Sequence, residues 1–277
     1  MKTALCLGSF DGIHIGHRKV LTLPENYYKI AVTFRIPPKS FCNDDLALIM
    51  SLEDKCSALG ELGIDEVELL DFEKVKNIPC DDFLNLLVKK FNPSLISCGF
   101  NYRFGKNAEG NTELLSAFCK KNGIIFNCVE PVLYDENVVS STKIRGFLKN
   151  GEIERANNLL YKPFSYSASV IEGDKRGRSL GFPTINQRYP ENLVKLKFGV
   201  YKTIAYFNGR SYEAVTYIGK RPTFQTDYII SETFIKNFSG DLYGETVKIT
   251  PVKFLRDEIK FSNANELQKQ LEFDLEM

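Results

Sequence analysis

The sequence predicts two units: an α/β unit built on a doubly wound parallel sheet, then a β-rich unit forming an antiparallel sheet or small barrel. Three observations predict this. In the first half, short β-branched apolar runs alternate with helical patterns. From Phe164 onward the runs become alternating or β-rich, and Gly, Asn, Asp and Pro separate them. All seven cysteines precede residue 129, a shift that suggests units of different origin. The length of 277 residues suits two domains at roughly 100–200 residues each.

The first-half strands are expected at Ala4–Leu7, Ile30–Phe34, Glu66–Asp71, Ser94–Cys98 and Ile124–Val129. Their apolar, near-continuous character fits buried parallel strands. A helix should open just after the first strand. Another should run from Ser51 to about Leu62, with Ser51 and Asp54 as a capping box. A third spans Asp81–Phe91 and stops before Asn92-Pro93; a fourth spans Asn111–Lys121 and stops near Gly123. In such sheets ligands sit at the carboxyl ends of the strands. Two helices follow, Ser141–Leu148 and Glu152–Leu160, and the boundary falls near Tyr161-Lys162-Pro163, giving domains 1–161 and 162–277. Strands are then expected at Tyr166–Ile171, Val200–Phe207, Tyr212–Tyr217, Ile229–Ile235 and Thr246–Phe254, with a last helix at Asn263–Phe273.

Composition narrows the function classes. Hydrophobic residues make up 43% and charged residues 26%, as in a soluble globular protein, and the formal net charge is +1. That balance argues for no nucleic-acid or membrane partner. No apolar run approaches the ~20 residues that span a bilayer, and Gly8 interrupts the N-terminal apolar stretch too soon for a signal peptide. The expectation is a cytoplasmic protein with no obligatory protein partner. The cysteines are odd in number and form no C-x-x-C pair, so they read as reduced, buried, small apolar residues.

Three stretches in the first half carry chemistry. Gly8-Ser9-Phe10-Asp11-Gly12-Ile13-His14-Ile15-Gly16-His17 follows a strand and opens a helix. Glycines there admit a ligand close to the backbone, and a helix N-terminus attracts phosphate. His14 and His17, the chain's two histidines, can donate hydrogen bonds to phosphate oxygens as negative charge builds. Val139-Ser140-Ser141-Thr142-Lys143-Ile144-Arg145 places hydroxyls before a helix, as caps or as phosphate contacts alongside Arg145. Gly99-Phe100-Asn101-Tyr102-Arg103-Phe104-Gly105-Lys106 is a polar loop with aromatic anchors. Neither a Walker A motif nor G-x-G-x-x-G is present.

The first stretch resembles the G-x-F-D-G-x-H-x-G-H signature of the nucleotidyltransferase superfamily, and the second its I-S-S-T-x-I-R motif. The third resembles the loop of bacterial FAD synthetases. The resemblance implies catalytic roles for His14, His17 and Arg145 and nucleotide or phosphate contacts from Gly8, Ser9, Phe10, Gly16, Ser140, Ser141 and Thr142. It further implies flavin contacts from Asn101, Arg103 and Phe104.

In the second half, Gly173-Asp174-Lys175-Arg176-Gly177-Arg178-Ser179-Leu180-Gly181-Phe182-Pro183-Thr184-Ile185-Asn186 combines glycine-rich backbone with Lys and Arg, which suits ATP phosphates. Thr184 and Asn186 offer neutral oxygens of the kind Mg²⁺ accepts. This stretch resembles the riboflavin kinase motif. Phe198–Tyr201, Ile218–Phe224, Ser231–Phe234, Gly240–Gly244 and Leu255–Glu258 follow in the family's order. The resemblance implies nucleotide contacts from Gly173, Lys175, Gly177, Arg178, Gly181 and Pro183, and Mg²⁺ held by Thr184 and Asn186. Glu232 is then the base that takes the ribityl hydroxyl proton, and Arg256 a flavin contact.

Taken over the chain, the resemblance is to bacterial bifunctional riboflavin kinase/FMN adenylyltransferases. It implies a Rossmann-like nucleotidyltransferase domain and a small antiparallel β-barrel of riboflavin-kinase type with a terminal helix. The substrates would be riboflavin, FMN and ATP, with Mg²⁺ as cofactor. Two departures stand against it. Thr33-Phe34-Arg35-Ile36-Pro37-Pro38 lacks the acid and histidine usual in T-F-D-P-H-P, and the helix after His17 is short. They leave open a monofunctional riboflavin kinase with a degenerate first domain. Other rivals are an adenylyltransferase for a different phosphate acceptor and a non-enzymatic flavin-binding regulator.

Overall fold

The computed structural model describes residues 2–38, 47–173, 183–220, 228–259, 261 and 264–276. The chain forms two compact units. One comprises 1–46, 51–141 and 159–162; the other comprises 47–50, 142–158 and 163–277.

The first unit is a five-stranded parallel sheet. Its strands are β1 (Lys2–Leu7), β2 (Tyr27–Phe34), β3 (Glu66–Leu70), β4 (Pro93–Gly99) and β5 (Ile125–Val129), in the order β3-β2-β1-β4-β5. From β1 the chain builds outward to β3 and then returns to the other side of β1 with β4. The switch point therefore lies at the carboxyl end of β1, where ligands bind such sheets. Helix α1 (Ile15–Leu21) packs against β4 and β5, and α2 (Leu52–Glu61) against β3. A single turn, α3 (Phe72–Val75), precedes α4 (Cys80–Phe91). Phe83, Leu84 and Leu87 of α4 join Leu5, Leu7 and Ile96 in the core. Helix α5 (Thr112–Lys121) covers β5.

The helix ends obey local chemistry. Ser51 caps α2 by accepting from the Asp54 amide at 3.0 Å, as the capping box predicts. Asn92 ends α4 in the left-handed region at φ 43°, where asparagine is tolerated. Cys6, Cys98 and Cys119 are buried, and burial pushes the Cys6 and Cys98 thiols up to about 12, so both stay protonated. Cys56, Cys80 and Cys128 are half-buried rather than buried, and Cys42 lies outside the described residues.

Short elements not expected from the sequence include α3, the hairpin of β6 (Leu133–Tyr134) and β7 (Asn137–Val138), and β9 (Thr184–Arg188). The first two are too short to show a period. The last was hidden inside the glycine-rich motif.

Helices α6 (Ser141–Lys149) and α7 (Ile153–Leu159) come next along the chain. The second unit contains a closed barrel. Its strands are β8 (Tyr166–Ile171), β9, β10 (Gly199–Phe207), β11 (Arg210–Gly219), β12 (Ile230–Ile235) and β13 (Thr246–Arg256), in the order β10-β11-β12-β9-β8-β13. Every pairing is antiparallel. Several of its buried polar groups are matched, although Gln187 Oε1 and the Tyr217 hydroxyl have no hydrogen-bond partner among the described residues. Thr203, Thr216 and Thr233 hydrogen-bond in series across three strands at 2.8 and 2.9 Å. The Tyr166 hydroxyl meets Ser231 Oγ at 2.6 Å. Gln187 Nε2 donates to the carbonyls of Ala168 and Val247. Such matching is what burial of polar groups requires.

An ion pair links the terminal helix α8 (Ala264–Glu276) to the barrel. Arg256 Nη2 donates to Asp274 Oδ2 at 2.8 Å, with Nε 3.1 Å from both carboxylate oxygens. The Asp274 side chain is only 1% exposed and that of Arg256 16%. Removing one partner of such a pair strands the other charge, at a cost of about 3–5 kcal/mol. Asp274→Ala should therefore lower the stability of the second unit by about 3 kcal/mol, seen as a lower urea midpoint for its unfolding transition, with the first unit's transition unmoved.

Candidate active sites

At the carboxyl end of β1 the chain turns sharply. Phe10, Gly12 and Ile13 have φ of 49°, 82° and 40°. For buried, bulky Phe10 and β-branched Ile13 this backbone is strained. Gly8 is needed for the turn, because a Cβ there would lie 2.9 Å from the Phe10 ring. Cross-links hold the loop in place. Thr33 Oγ1 donates to Ser9 O at 2.9 Å, Ser141 Oγ to Asp11 O at 2.9 Å, and Tyr161 N to Ile13 O at 3.0 Å.

The turn delivers His14 as the cap of α1. Its Nδ1 accepts from the His17 amide at 3.2 Å. Because Nδ1 is the acceptor, the neutral ring carries its proton on Nε2, which is left as a donor. The two imidazoles stack with centroids 3.6 Å apart and planes 14° apart, and Phe10 meets His17 edge-on at 5.4 Å. Gly16 permits the stack; a Cβ there would lie 3.2 Å from the His14 ring. Burial pushes His14 down to about 4. His17 lies well below its ordinary value because of burial first, then the charges of His14 and Lys55. Both are neutral at pH 7. His17 Nδ1 is buried with no hydrogen-bond partner among the described residues.

Sequence reasoning missed Lys55. It lies in the first turns of α2, is 4% exposed, and donates from Nζ to Phe34 O at 2.6 Å. Asp11, 3% exposed, is its opposing charge. Its place in an amphipathic helix gave no sign that a lysine would be buried.

Ser140 and Ser141 complete the second motif in the first unit, and Ser141 is tied directly to the histidine loop. Thr142 and Arg145 belong to the second unit. Thr142 is exposed, whereas Arg145 is buried and donates from Nε to Ala47 O at 2.7 Å. In the third motif, Asn101 and Arg103 are exposed. Phe104 is buried in the core, stacked on Phe83 and Tyr102 at 5.9 and 5.8 Å, so its ring anchors the loop.

In the barrel, register brings the second constellation together. Glu232 of β12 lies directly opposite Asn186 of β9 on one side and Tyr217 of β11 on the other. Directly opposed residues share a face with Cβ atoms about 5 Å apart. Thr184, two residues before Asn186, lies on the same face, while Ser231 and Thr233 are fully buried on the opposite one. Gly173 sits against Asn186; a Cβ there would fall 2.3 Å from its amide nitrogen. Pro183 is exposed. Lys175, Gly177, Arg178 and Gly181 lie outside the described residues. Arg256 is engaged by Asp274 and caps the Phe261 ring at 5.7 Å. Tyr217, like Lys55, was not singled out from sequence: only the strand pairing puts it beside Glu232.

Comparison with known proteins follows the same division. Residues 1–143 match the FAD synthetase family and residues 160–277 the riboflavin kinase family. A bifunctional riboflavin kinase/FMN adenylyltransferase from Bacillus subtilis is 33% identical, covering 99% of this chain and 90% of its own. One of the same description from Listeria monocytogenes is 31% identical, covering 98% and 89%. A crystal structure from Streptococcus pneumoniae, described as a macrolide-efflux protein, superposes with a TM-score of 0.91 at 29% identity, covering 99% of this chain and 93% of that one. With both halves matched and aligned relatives of nearly equal length, the chain belongs to the bifunctional riboflavin kinase/FMN adenylyltransferase family.

Proposed function

We propose that this chain makes FAD in two ATP-dependent steps: phosphorylation of riboflavin to FMN in residues 162–277, and adenylylation of FMN in residues 1–161. The observation that carries both is the coexistence of an intact stacked histidine pair in one unit and the Glu232–Asn186 pair in the other. The histidine pair, with its strained and cross-linked loop, speaks against a degenerate first domain. The altered Arg35–Pro38 segment does not disturb it, since β2 still offers Phe34 O to Lys55.

In the kinase step, Glu232 accepts the proton of the riboflavin ribityl hydroxyl as its oxygen bonds to the γ-phosphorus of ATP. The bond from that phosphorus to the β,γ-bridging oxygen breaks, and ADP leaves. Thr184 and Asn186 supply neutral oxygens on one face beside Glu232, a donor set that fits Mg²⁺ with phosphates and water completing the shell. When bound there, Mg²⁺ neutralises the charge of the triphosphate. Lys175, Gly177, Arg178 and Gly181 contact the ATP phosphates, with Gly173 and Pro183 framing them.

In the adenylylation step, an FMN phosphate oxygen attacks the α-phosphorus of ATP and pyrophosphate departs. No proton must be removed from the nucleophile, so the burden is electrostatic. His14 Nε2–H donates to phosphate oxygens as charge develops, and His17 lies against it. A buried, pre-oriented donor is effective here because it needs no reorganisation. Ser140, Ser141, Thr142 and Arg145 contact the departing phosphates. Asn101 and Arg103 contact the flavin side, and Phe104 holds their loop. Cytoplasmic location suits substrates that are phosphorylated metabolites. The direct test is incubation with riboflavin and Mg-ATP, then chromatographic separation of riboflavin, FMN and FAD; accumulation of FMN without FAD would favour the monofunctional reading.

Two substitutions separate the halves. His17→Ala should lower FMN adenylylation by about 10²–10³ and leave FMN formation close to the parent's, as measured by paired assays on one preparation. Glu232→Gln should show the reverse, with a loss of about 10²–10⁴ in riboflavin phosphorylation. That loss should appear in kcat rather than KM, because an amide keeps the shape but takes no proton. A Glu232→Gln enzyme that phosphorylates riboflavin at parental speed would remove Glu232 from the role of base.

A further inference from the structure

We propose that Lys55 is a positioning residue of the adenylylating site: its buried ammonium joins the end of β2 to the histidine loop and sets a fixed positive charge beside the imidazole pair. The inference rests on the reading of His14 and His17 given above.

Burying an ammonium costs several kcal/mol unless charge and hydrogen bonds compensate. Lys55 is 4% exposed, its hydrogen bond to Phe34 O is 2.6 Å long, and its opposing charge is the buried carboxylate of Asp11. Both partners sit at the carboxyl ends of the adjacent strands β1 and β2. Phe34 ends β2, and Asp11 is in the strained turn after β1, between Phe10 and Gly12. The same turn carries His14. Lys55 therefore fixes the position of the loop and hence of the stacked rings. The charge acts on the rings as well. Burial holds His17 neutral first; the charges of His14 and then Lys55 hold it further down. Around Lys55 itself, burial lowers the ammonium while Asp11 and Cys56 raise it. The titratable groups that face His17 are thus His14 and Lys55, and Asp11 faces Lys55.

The consequence is a pair of imidazoles that are neutral before substrate arrives, carried on a loop that faces a buried ion pair.

The test exploits the fact that the chain has two histidines, so ¹⁵N-histidine NMR of the full chain reads this pair alone. Lys55→Met removes the charge at nearly equal length; Lys55→Arg keeps it. In Lys55→Met, FMN adenylylation should fall about 10²-fold, as for a misplaced catalytic group. The imidazole ¹⁵N signals should shift, with His17 taking up its proton at a higher pH than in the parent. Lys55→Arg should recover part of the rate and restore the parental histidine signals. Riboflavin phosphorylation by the same molecules certifies the preparation. Should Lys55→Met fail to fold, the comparison of parent with Lys55→Arg stands by itself: histidine signals displaced in a charge-conserving variant would overturn the proposal. Parental FAD formation in Lys55→Met, unmoved histidine signals, or no recovery by Lys55→Arg would each overturn it too. A parent that makes no FAD would instead sink the reading of the reaction, and the histidine titrations would still decide the role of Lys55.

Discussion

The first unit depends on one strained turn. Phe10 and Ile13 hold positive φ while fully buried, and each such residue costs of order 1–3 kcal/mol. The turn persists because its surroundings over-determine it. Thr33, Ser141 and Tyr161 reach it by hydrogen bonds from three different parts of the chain, and Asp11 faces Lys55. Relaxed backbone would swing His14 out of the cap position and unstack the rings. The strain and the site are one feature: the rings require glycine at 8 and 16, and the backbone favours it at 12.

The second unit solves a different problem. A closed antiparallel barrel has no free edge, so register is determined all round it. A slip of one residue would exchange the faces of a strand. Slipping β12 would carry Glu232 to the face of Ser231 and Thr233 and break the threonine series. The buried bonds between Thr203, Thr216 and Thr233 therefore guard the placement of the proposed base.

The two halves place their chemistry by contrasting means. One uses a local string, ten residues long, at the end of a strand. The other assembles Thr184, Asn186 and Glu232 from two strands far apart in sequence. Arg256 shows how a residue matched by motif can serve the fold first: its guanidinium secures the terminal helix through Asp274. Phe104 likewise anchors its loop through the core. Arg35 to Pro38 depart from the family pattern at the end of β2, yet the backbone carbonyl just before them keeps its partner in Lys55.

Much of the fold was legible in the sequence. Periodicity located the parallel strands and their helices, because 2.0 and 3.6 residue repeats are local. The capping box at Ser51 and the histidine string each lie within a few residues, so their residue types and spacing carried them, whereas Glu232 was singled out by resemblance to the riboflavin kinase motifs. What only the tertiary structure decided was which polar residues are buried and against what. Lys55 sits in an unremarkable amphipathic helix, and Tyr217 in an ordinary strand. Their importance comes from partners 21 or more residues away, as Lys55 with Phe34, or across a strand pair, as Tyr217 with Glu232. Burial and cross-strand register are sums over the whole fold, and no window of sequence contains them.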